Sequence, residues 1–233
     1  MGQVPPQPSI TLLGDGKVAR HFSYFLQRKN ISFNTWSRKS SVPLKEIIKD
    51  TPTVILLVKD SAIEEVIRAH PELSIQTKIH FSGCLTTPLA TGMHPLMTFG
   101  QELYPDEVYE QVPFICEQGG VTFRDVFPQL SNPVYTIAPE QKPFYHALCV
   151  MSGNFSVILW QKLFQELQER FGIPQEAALP YLRQITENLS HHPTLALTGP
   201  LQRKDQVTLE KNLHSLKQDP FQKIYQAFLE VHQ

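Results

Sequence analysis

Near the start of the chain, two glycines are spaced as in loops that bind phosphate groups. Gly14 and Gly16 follow a short apolar run and open a helical pattern that includes Ala19. In G-x-G-x-x-G/A, the first glycine permits a tight turn, the second lets the backbone approach a diphosphate, and the small third residue lets the helix pack closely on the strand. The N-terminus of the helix also favours negative charge. We therefore predict a dinucleotide site formed by the glycine loop, which comprises Gly14, Asp15, Gly16, Lys17, Val18 and Ala19.

Asp15 is at odds with this prediction, because a carboxylate beside a diphosphate would repel it. The site requires that the Asp15 side chain points away or that Lys17 offsets its charge. A simple glycine turn is the alternative interpretation of the loop.

The end of the second predicted strand bears on the choice of cofactor. NAD enzymes place an acidic residue there to bind the ribose hydroxyls, whereas this chain has Ser37, Arg38 and Lys39. A hydroxyl and two cations suit a 2′-phosphate, so we predict NADP rather than NAD. The alternative is an ordinary solvated basic loop.

Further candidates follow other predicted strands, where parallel sheets bind ligands. We expect the backbone of Val58 and Lys59, together with Ser82, to contact the cofactor. His94 follows a loop rich in Thr and Gly. Hydride transfer to a carbonyl or imine also requires a proton, and histidine can supply one near neutral pH. Ser82 and His94 are therefore candidate catalytic residues, although a single His before Pro is more often structural.

The C-terminal part offers three further polar candidates. His146 and Asn154 fall on one side of a long predicted helix, about two turns apart. They are candidate catalytic residues, or they bond across helices or across a dimer. Arg203 is a candidate for binding an anionic substrate, or a surface cation. His191 and His192 are adjacent and point in different directions, so we predict no metal site.

The composition limits the function classes. The 233 residues include 21 Lys and Arg against 22 Asp and Glu, a formal charge of -1, so no global field attracts nucleic acid or an anionic membrane. The longest purely aliphatic run, residues 54–58, is far shorter than the roughly 18 residues of a membrane helix. Three dispersed cysteines indicate neither a disulfide framework nor a structural zinc site. We predict a cytoplasmic protein with a small-molecule substrate and no nucleic-acid or membrane partner.

Residue periodicity predicts two parts of different class. Residues 1–8 form a Pro- and Gln-rich leader. Strand-like runs occur at 10–13, 31–36, 54–58, 78–81, 114–116 and 134–137. Helical spacing occurs between them at 17–28, 44–49, 61–68 and about 121–130. We predict a doubly wound α/β Rossmann domain over residues 1–137, followed by an all-helical substrate and dimerisation domain over 138–233. Its first helix is predicted over 141–171, apolar nearly all round from 144 to 160, with one face covered by a partner subunit or by its own domain.

Several motifs together resemble a known group of proteins. Besides the glycine loop, they are the segments 80–83 (His-x-Ser-Gly), 94–96 (His-Pro-Leu), 145–155 and 198–205. The chain resembles Rossmann-like proteins with a helical C-terminal domain of unknown function, in the wider group of pyrroline-5-carboxylate reductase and 6-phosphogluconate dehydrogenase-like enzymes. The resemblance implies NADP at the glycine loop, hydride transfer and a homodimer formed through the helical domain. Hydroxyacid dehydrogenases of this group carry a catalytic Lys one turn before the Asn, where this chain has Val150.

We therefore predict an NADP-dependent oxidoreductase that transfers a hydride between NADPH and a small carbonyl or imine substrate. The alternative is a non-catalytic NADP-binding dimer that acts as a sensor or scaffold, and the missing Lys motivates it.

Overall fold

The computed structural model describes residues 9–232, and it divides into two compact units, Met1–Val157 and Ile158–Gln233. The predicted leader at residues 1–8 lies outside the described residues. The last strand ends at Ile137, where we placed the end of the Rossmann domain. The first unit continues beyond it through the beginning of the long helical stretch, so it contains residues that the prediction assigned to the helical domain.

The first unit contains a seven-stranded sheet. Its strands are β1 (Ile10–Leu13), β2 (Asn34–Trp36), β3 (Thr53–Leu56), β4 (Thr77–His80), β5 (Thr91–Pro95), β6 (Phe114–Glu117) and β7 (Val134–Ile137). Their order is β2-β1-β3-β4-β5-β6-β7, and every neighbouring pair is parallel except β5 and β6. Strands β1 and β3 are mostly apolar and buried, as expected where helices cover both faces of a parallel sheet. This confirms the predicted α/β class.

Helices connect the strands of this unit. They are α1 (Lys17–Arg28), α2 (Leu44–Ile47), α3 (Asp60–Ala69), α4 (Asp106–Gln111) and α5 (Phe123–Val126). The bounds of α1 are those predicted from the sequence, because Phe22, Phe25 and Leu26 recur on one face and are buried against the sheet.

Two elements of the first unit were not predicted. Strand β5 contains Gly92 and Pro95, residues that usually weaken a strand, and helix α4 is short. Antiparallel pairing with β6 stabilises β5, and Met93 is fully buried in the core. These contacts are distant in sequence, so local pattern alone did not reveal them.

All elements described after β7 are helical. They are α6 (Lys142–Val150), α7 (Ser156–Phe171), α8 (Leu179–His191), α9 (Gly199–Gln202), α10 (Gln206–Ser215) and α11 (Gln222–His232), with short 3-10 turns. A π-helical segment at Met151–Phe155 joins α6 to α7, so the predicted single helix is interrupted. Such segments insert an extra residue into a turn and shift the register of the side chains that follow.

The long helical stretch is notably apolar and exposed. Its apolar side chains include Phe144, which is 71% exposed, as well as Leu148, Met151 and Phe155. By length and composition alone, Pro139–Phe171 is long and apolar enough to cross a membrane. In the second unit, Ala178 and Leu209 are the buried hydrophobic residues among those described.

Candidate functional site

The glycine loop lies between the end of β1 and the start of α1. Gly14 adopts a φ of +136°, which side-chain-bearing residues rarely adopt, and a Cβ there would overlap the carbonyl of Leu57. Its amide donates to the carbonyl of Trp36 at 2.9 Å, so the loop is tied to the ends of β2 and β3. Only glycine fits at this position.

Gly16 differs from Gly14 in having open space around it. It precedes α1 with an ordinary φ of -78°, and a Cβ at this position would meet no atom within 4 Å. No side chain caps α1, and its first turn carries no acidic residue. The free amides and the positive end of the helix dipole are therefore available to an anion.

Asp15 does not block this position. Its carboxylate pairs with Lys39 Nζ at 2.6 Å, and the hydrogen bond and charge of Lys39 lower the pKa of Asp15. The partner is thus Lys39 rather than Lys17, which the sequence suggested. As a consequence, Lys39 is engaged by Asp15, whereas it was predicted to face a 2′-phosphate.

A cavity of about 470 Å³ adjoins the loop and is within the size range of ligand pockets. The predicted cofactor residues that line it are Gly14, Asp15, Gly16, Ser37, Arg38, Val58 and Lys59. The predicted residues that do not line it are Lys17, Val18, Ala19, Lys39 and Ser82. Ala19 is buried against the sheet, in the packing role predicted for the small residue of the motif. Trp36 and His70 contribute an aromatic wall, with ring centroids 5.3 Å apart.

Two histidines meet at the same edge of the sheet. His94 lies near the end of β5, which runs parallel to β4, and His146 lies on α6. Their ring centroids are 5.7 Å apart, and the ring planes are perpendicular. Both rings face Gly83, because a Cβ there would overlap His146 and lie 3.1 Å from Nε2 of His94. The structure thus brings together two of the predicted catalytic residues that are distant in sequence.

Tyr145, which was not among the predicted site residues, completes this group. Its hydroxyl lies 2.8 Å from Nδ1 of His94. Burial and the neighbouring thiol of Cys149 raise the pKa of Tyr145, so the hydroxyl stays protonated. Burial, together with the charges of His146 and Lys142, lowers the pKa of His94 to about 4. His94 is therefore neutral at physiological pH.

A buried ion pair lies near His94. Nζ of Lys142, in the first turn of α6, is 2.6 Å from the Glu117 carboxylate and also donates to the carbonyl of Leu85. Gly92 leaves room for the ammonium group, since a Cβ there would overlap it. This pair fixes the start of α6 to β6, and α6 carries Tyr145 and His146. A lysine and a glutamate so far apart in sequence gave no signal before folding.

His80 is fully buried at the end of β4. Its Nδ1 accepts a hydrogen bond from the Ser82 amide at 3.2 Å, while Nε2 has no partner among the described residues. Burial, followed by the charge of Lys142, lowers the pKa of His80 to about 4.

Ser82 stabilises the turn after β4. Its hydroxyl donates to Asp60 and accepts from the amides of Cys84 and Leu85, so it is fully engaged in shaping the turn after β4. These contacts leave the hydroxyl no free proton for a substrate.

Other predicted site residues lie apart from this group. Asn154 is exposed within the π-helical segment, which changes its register relative to His146. Arg203 is exposed in the second unit, where Asp205 caps α10 by accepting from the Thr208 amide. The described residues contain no group of three or more His, Cys, Asp or Glu side chains suited to a metal ion.

Known proteins share this architecture. Residues 117–230, slightly under half of the chain, match a family described as "Domain of unknown function (DUF2520)". A search of curated proteins finds no match. Among solved structures, a candidate NADP oxidoreductase from Bacteroides fragilis is 21% identical, with a TM-score of 0.74 over 96% of each chain. The chain has the fold of such oxidoreductases.

Two further solved structures share this fold. Pyrroline carboxylate reductase from Plasmodium falciparum with NADP bound is 15% identical, with a TM-score of 0.59 over 96% of each chain. A reductive aminase from Aspergillus terreus in complex with NADPH and ethyl levulinate is 13% identical, with a TM-score of 0.64 over 96% of this chain and 87% of that chain. The predicted resemblance is confirmed: a Rossmann-like fold is combined with a helical part of unknown function.

Proposed function

We propose that this protein is an NADP-dependent oxidoreductase that acts on a small carbonyl or imine substrate. The glycine loop carries the proposal: Gly14 is held against Leu57 by geometry that only glycine allows, while the space around Gly16 is open beside the uncapped start of α1. A backbone arranged in this way suits the diphosphate of a dinucleotide. The solved structures of the same fold described with NADP or NADPH support the proposal.

The chain's own residues would prepare the substrate for reduction. NADPH, when bound, supplies the hydride to the substrate carbon, and the oxygen or nitrogen takes up a proton that comes ultimately from solvent. His94 and His146 face the same small space over Gly83 and are placed to hold that oxygen or nitrogen. Roles for Asn154 at this site and for Arg203 as an anion clamp stay predictions.

Arg38 favours NADP over NAD. It lines the cavity beside Gly14, and it is not paired with a carboxylate among the described residues. A charged hydrogen bond to the 2′-phosphate contributes about 1–2 kcal/mol at an exposed position, which is roughly a 5- to 30-fold change in affinity.

A fluorescence titration tests this cofactor assignment. Arg38→Ala should weaken the binding of NADPH by roughly 5- to 30-fold and leave the binding of NADH nearly unchanged. Arg68→Ala is the control, because its guanidinium pairs with Glu64 and it does not line the cavity. Equal weakening of both cofactors by Arg38→Ala would contradict the assignment of the 2′-phosphate to Arg38.

We also propose a homodimer formed through the helices. The exposed side chains of Phe144, Leu148, Met151 and Phe155 form an apolar surface that needs a cover, and the second unit buries few of its own hydrophobic residues. Sedimentation should give twice the mass of the chain, and Phe144→Lys with Leu148→Glu should give monomers. A wild-type monomer at micromolar concentration would contradict this proposal.

The alternative function, a non-catalytic NADP-binding sensor or scaffold, is distinguished by turnover. Val150 stands where related dehydrogenases were expected to carry a lysine, so catalysis depends on other groups. NADPH oxidation should be followed with a panel of small aldehydes, ketones and imines, in the wild type and in His94→Ala. Tight NADPH binding without any oxidation would favour the sensor. The cytoplasmic location and the absence of nucleic-acid and membrane partners stay predictions.

A further inference from the structure

The unassigned group nearest the proposed reaction centre is the hydroxyl of Tyr145. It contacts Nδ1 of His94 at 2.8 Å, and the two rings meet edge to face with centroids 5.6 Å apart. The direction of the hydrogen bond between Tyr145 and His94 therefore decides where His94 carries its proton.

The donor and acceptor strengths favour one direction. A neutral imidazole nitrogen is a stronger acceptor than a phenol oxygen, and a phenol O–H is a good donor. If the hydroxyl of Tyr145 donates to Nδ1, the stronger donor meets the stronger acceptor at 2.8 Å. The reverse direction, with Nδ1–H donating to the hydroxyl, uses the weaker acceptor. The first arrangement is therefore preferred.

The other ring nitrogen of His94 is then a donor. In neutral histidine, a nitrogen that accepts a hydrogen bond leaves the proton on its counterpart. Nε2 lies 3.1 Å from the Cβ position of Gly83, in the space that His146 also borders, and it has no hydrogen-bond partner among the described residues. It is therefore a fixed N–H that faces the proposed substrate position.

We propose that Tyr145 is a positioning residue that holds neutral His94 with its proton on Nε2, and that the site consequently selects substrates with an uncharged acceptor atom. This rests on the proposed function. A carbonyl oxygen, or an imine nitrogen that carries no proton, has a lone pair for this N–H. A protonated iminium nitrogen has none, so it would leave Nε2 without a partner.

The charged groups near His94 agree with this selection. Lys142 is the nearby cation, and its charge opposes a second positive charge on His94. The nearest relevant carboxylates are engaged elsewhere: Glu117 pairs with Lys142, and Asp60 accepts from Ser82. The charge of Asp60 does favour a proton on His94, but the opposing charges of His146 and Lys142 outweigh it, so the site does not favour a cation at this position.

The position of the proton can be observed directly by NMR on the full chain with 15N-labelled histidine. Long-range proton–nitrogen correlations distinguish a proton on Nδ1 from one on Nε2, and His94→Asn identifies the signal. At pH 7 we expect a single neutral form of His94 with the proton on Nε2. Tyr145→Phe should give a mixture of both forms. Tyr135→Phe is the matched control, because Tyr135 is 60% exposed on β7, and it should change nothing.

A proton on Nδ1 in the wild type, or an unchanged spectrum in Tyr145→Phe, would overturn the assignment. NADPH titration of the same samples separates this inference from the proposed function, because cofactor affinity does not depend on the His94 proton. Loss of NADPH binding with the expected spectrum would contradict only the proposed function.

Substrate selection has its own readout. NADPH oxidation should be compared between small ketones or aldehydes and cyclic imines kept at a pH where they are protonated. We expect carbonyl turnover to be faster, and Tyr145→Phe to lower kcat by about tenfold with an unchanged KM for NADPH. Equal or faster turnover of the protonated imines would overturn the selection. Oxidation with neither class would contradict the proposed function and leave the NMR result to decide the position of the proton.

Discussion

The buried pair of Lys142 and Glu117 yields the sharpest prediction about how the site is assembled. The side chains are only 3% and 11% exposed, with Nζ and the carboxylate 2.6 Å apart. Lys142→Met preserves the length and apolar stem but leaves the Glu117 carboxylate buried without its partner. It also removes the donor to the Leu85 carbonyl. Breaking one side of a buried pair typically costs about 3–5 kcal/mol, which corresponds to a fall of roughly 6–20 °C in melting temperature for a chain of this size.

Thermal unfolding followed by circular dichroism measures this effect, and a double variant identifies its cause. Lys142→Met with Glu117→Leu removes both charges and should recover more than half of the lost melting temperature, because the buried unpaired carboxylate is gone. Arg68→Met breaks an exposed pair with Glu64 and should have almost no effect. If Lys142→Met lowers the melting temperature no more than Arg68→Met does, the pair does not anchor α6.

Gly83→Ala would push the rings of His146 and His94 apart, so the rate of NADPH oxidation should fall by about tenfold or more while NADPH affinity stays unchanged. An unchanged rate would contradict the placement of the two histidines at the reaction centre. Folded-state pKa values of about 4 for His80 and His94, against an ordinary value near 6.5, mean that the unfolded chain binds more protons between these pH values. The contribution of these histidines to the free energy of unfolding should therefore be fully present above pH 6.5. It should be lost as the pH falls towards 4, by roughly 3 kcal/mol for each histidine. The urea midpoints at pH 7 and pH 5 should differ less in His80→Asn than in the wild type or in the exposed control His192→Asn. An equal pH dependence of the midpoint in all three proteins would show that His80 is not the source of the pH dependence.

Local patterns predicted the first half of the fold because its information is local. The apolar run of β1, the turn at Gly14 and the spacing of α1 lie within some twenty residues and agree with one another. The bounds of α1 were therefore predicted correctly, whereas β5 was missed. Gly92 and Pro95 argue against a strand locally, and what stabilises β5 is its pairing with β6 and the space that Gly92 leaves for a distant ammonium group.

The candidate site was predicted in its residue types more than in its connections. His94 and His146 were selected for their chemistry, and folding places them against Gly83. Tyr145 was part of a recognised motif, but nothing local showed that its hydroxyl would meet a histidine 51 positions earlier in the chain. Lys39 was assigned to the cofactor as one of two cations that follow the second predicted strand, yet the turn at Asp15 brings a carboxylate within its reach.

The most direct test of the central claim is an NADPH titration of the wild type and of Gly16→Val. Because Gly16 has an ordinary φ and no neighbour within 4 Å of a Cβ, the variant should fold with an unchanged melting temperature. Its side chain would occupy the space in which the diphosphate approaches the backbone, so NADPH affinity should fall by more than about tenfold. Equal NADPH affinity in the two proteins, or no binding by the wild type, would contradict the account.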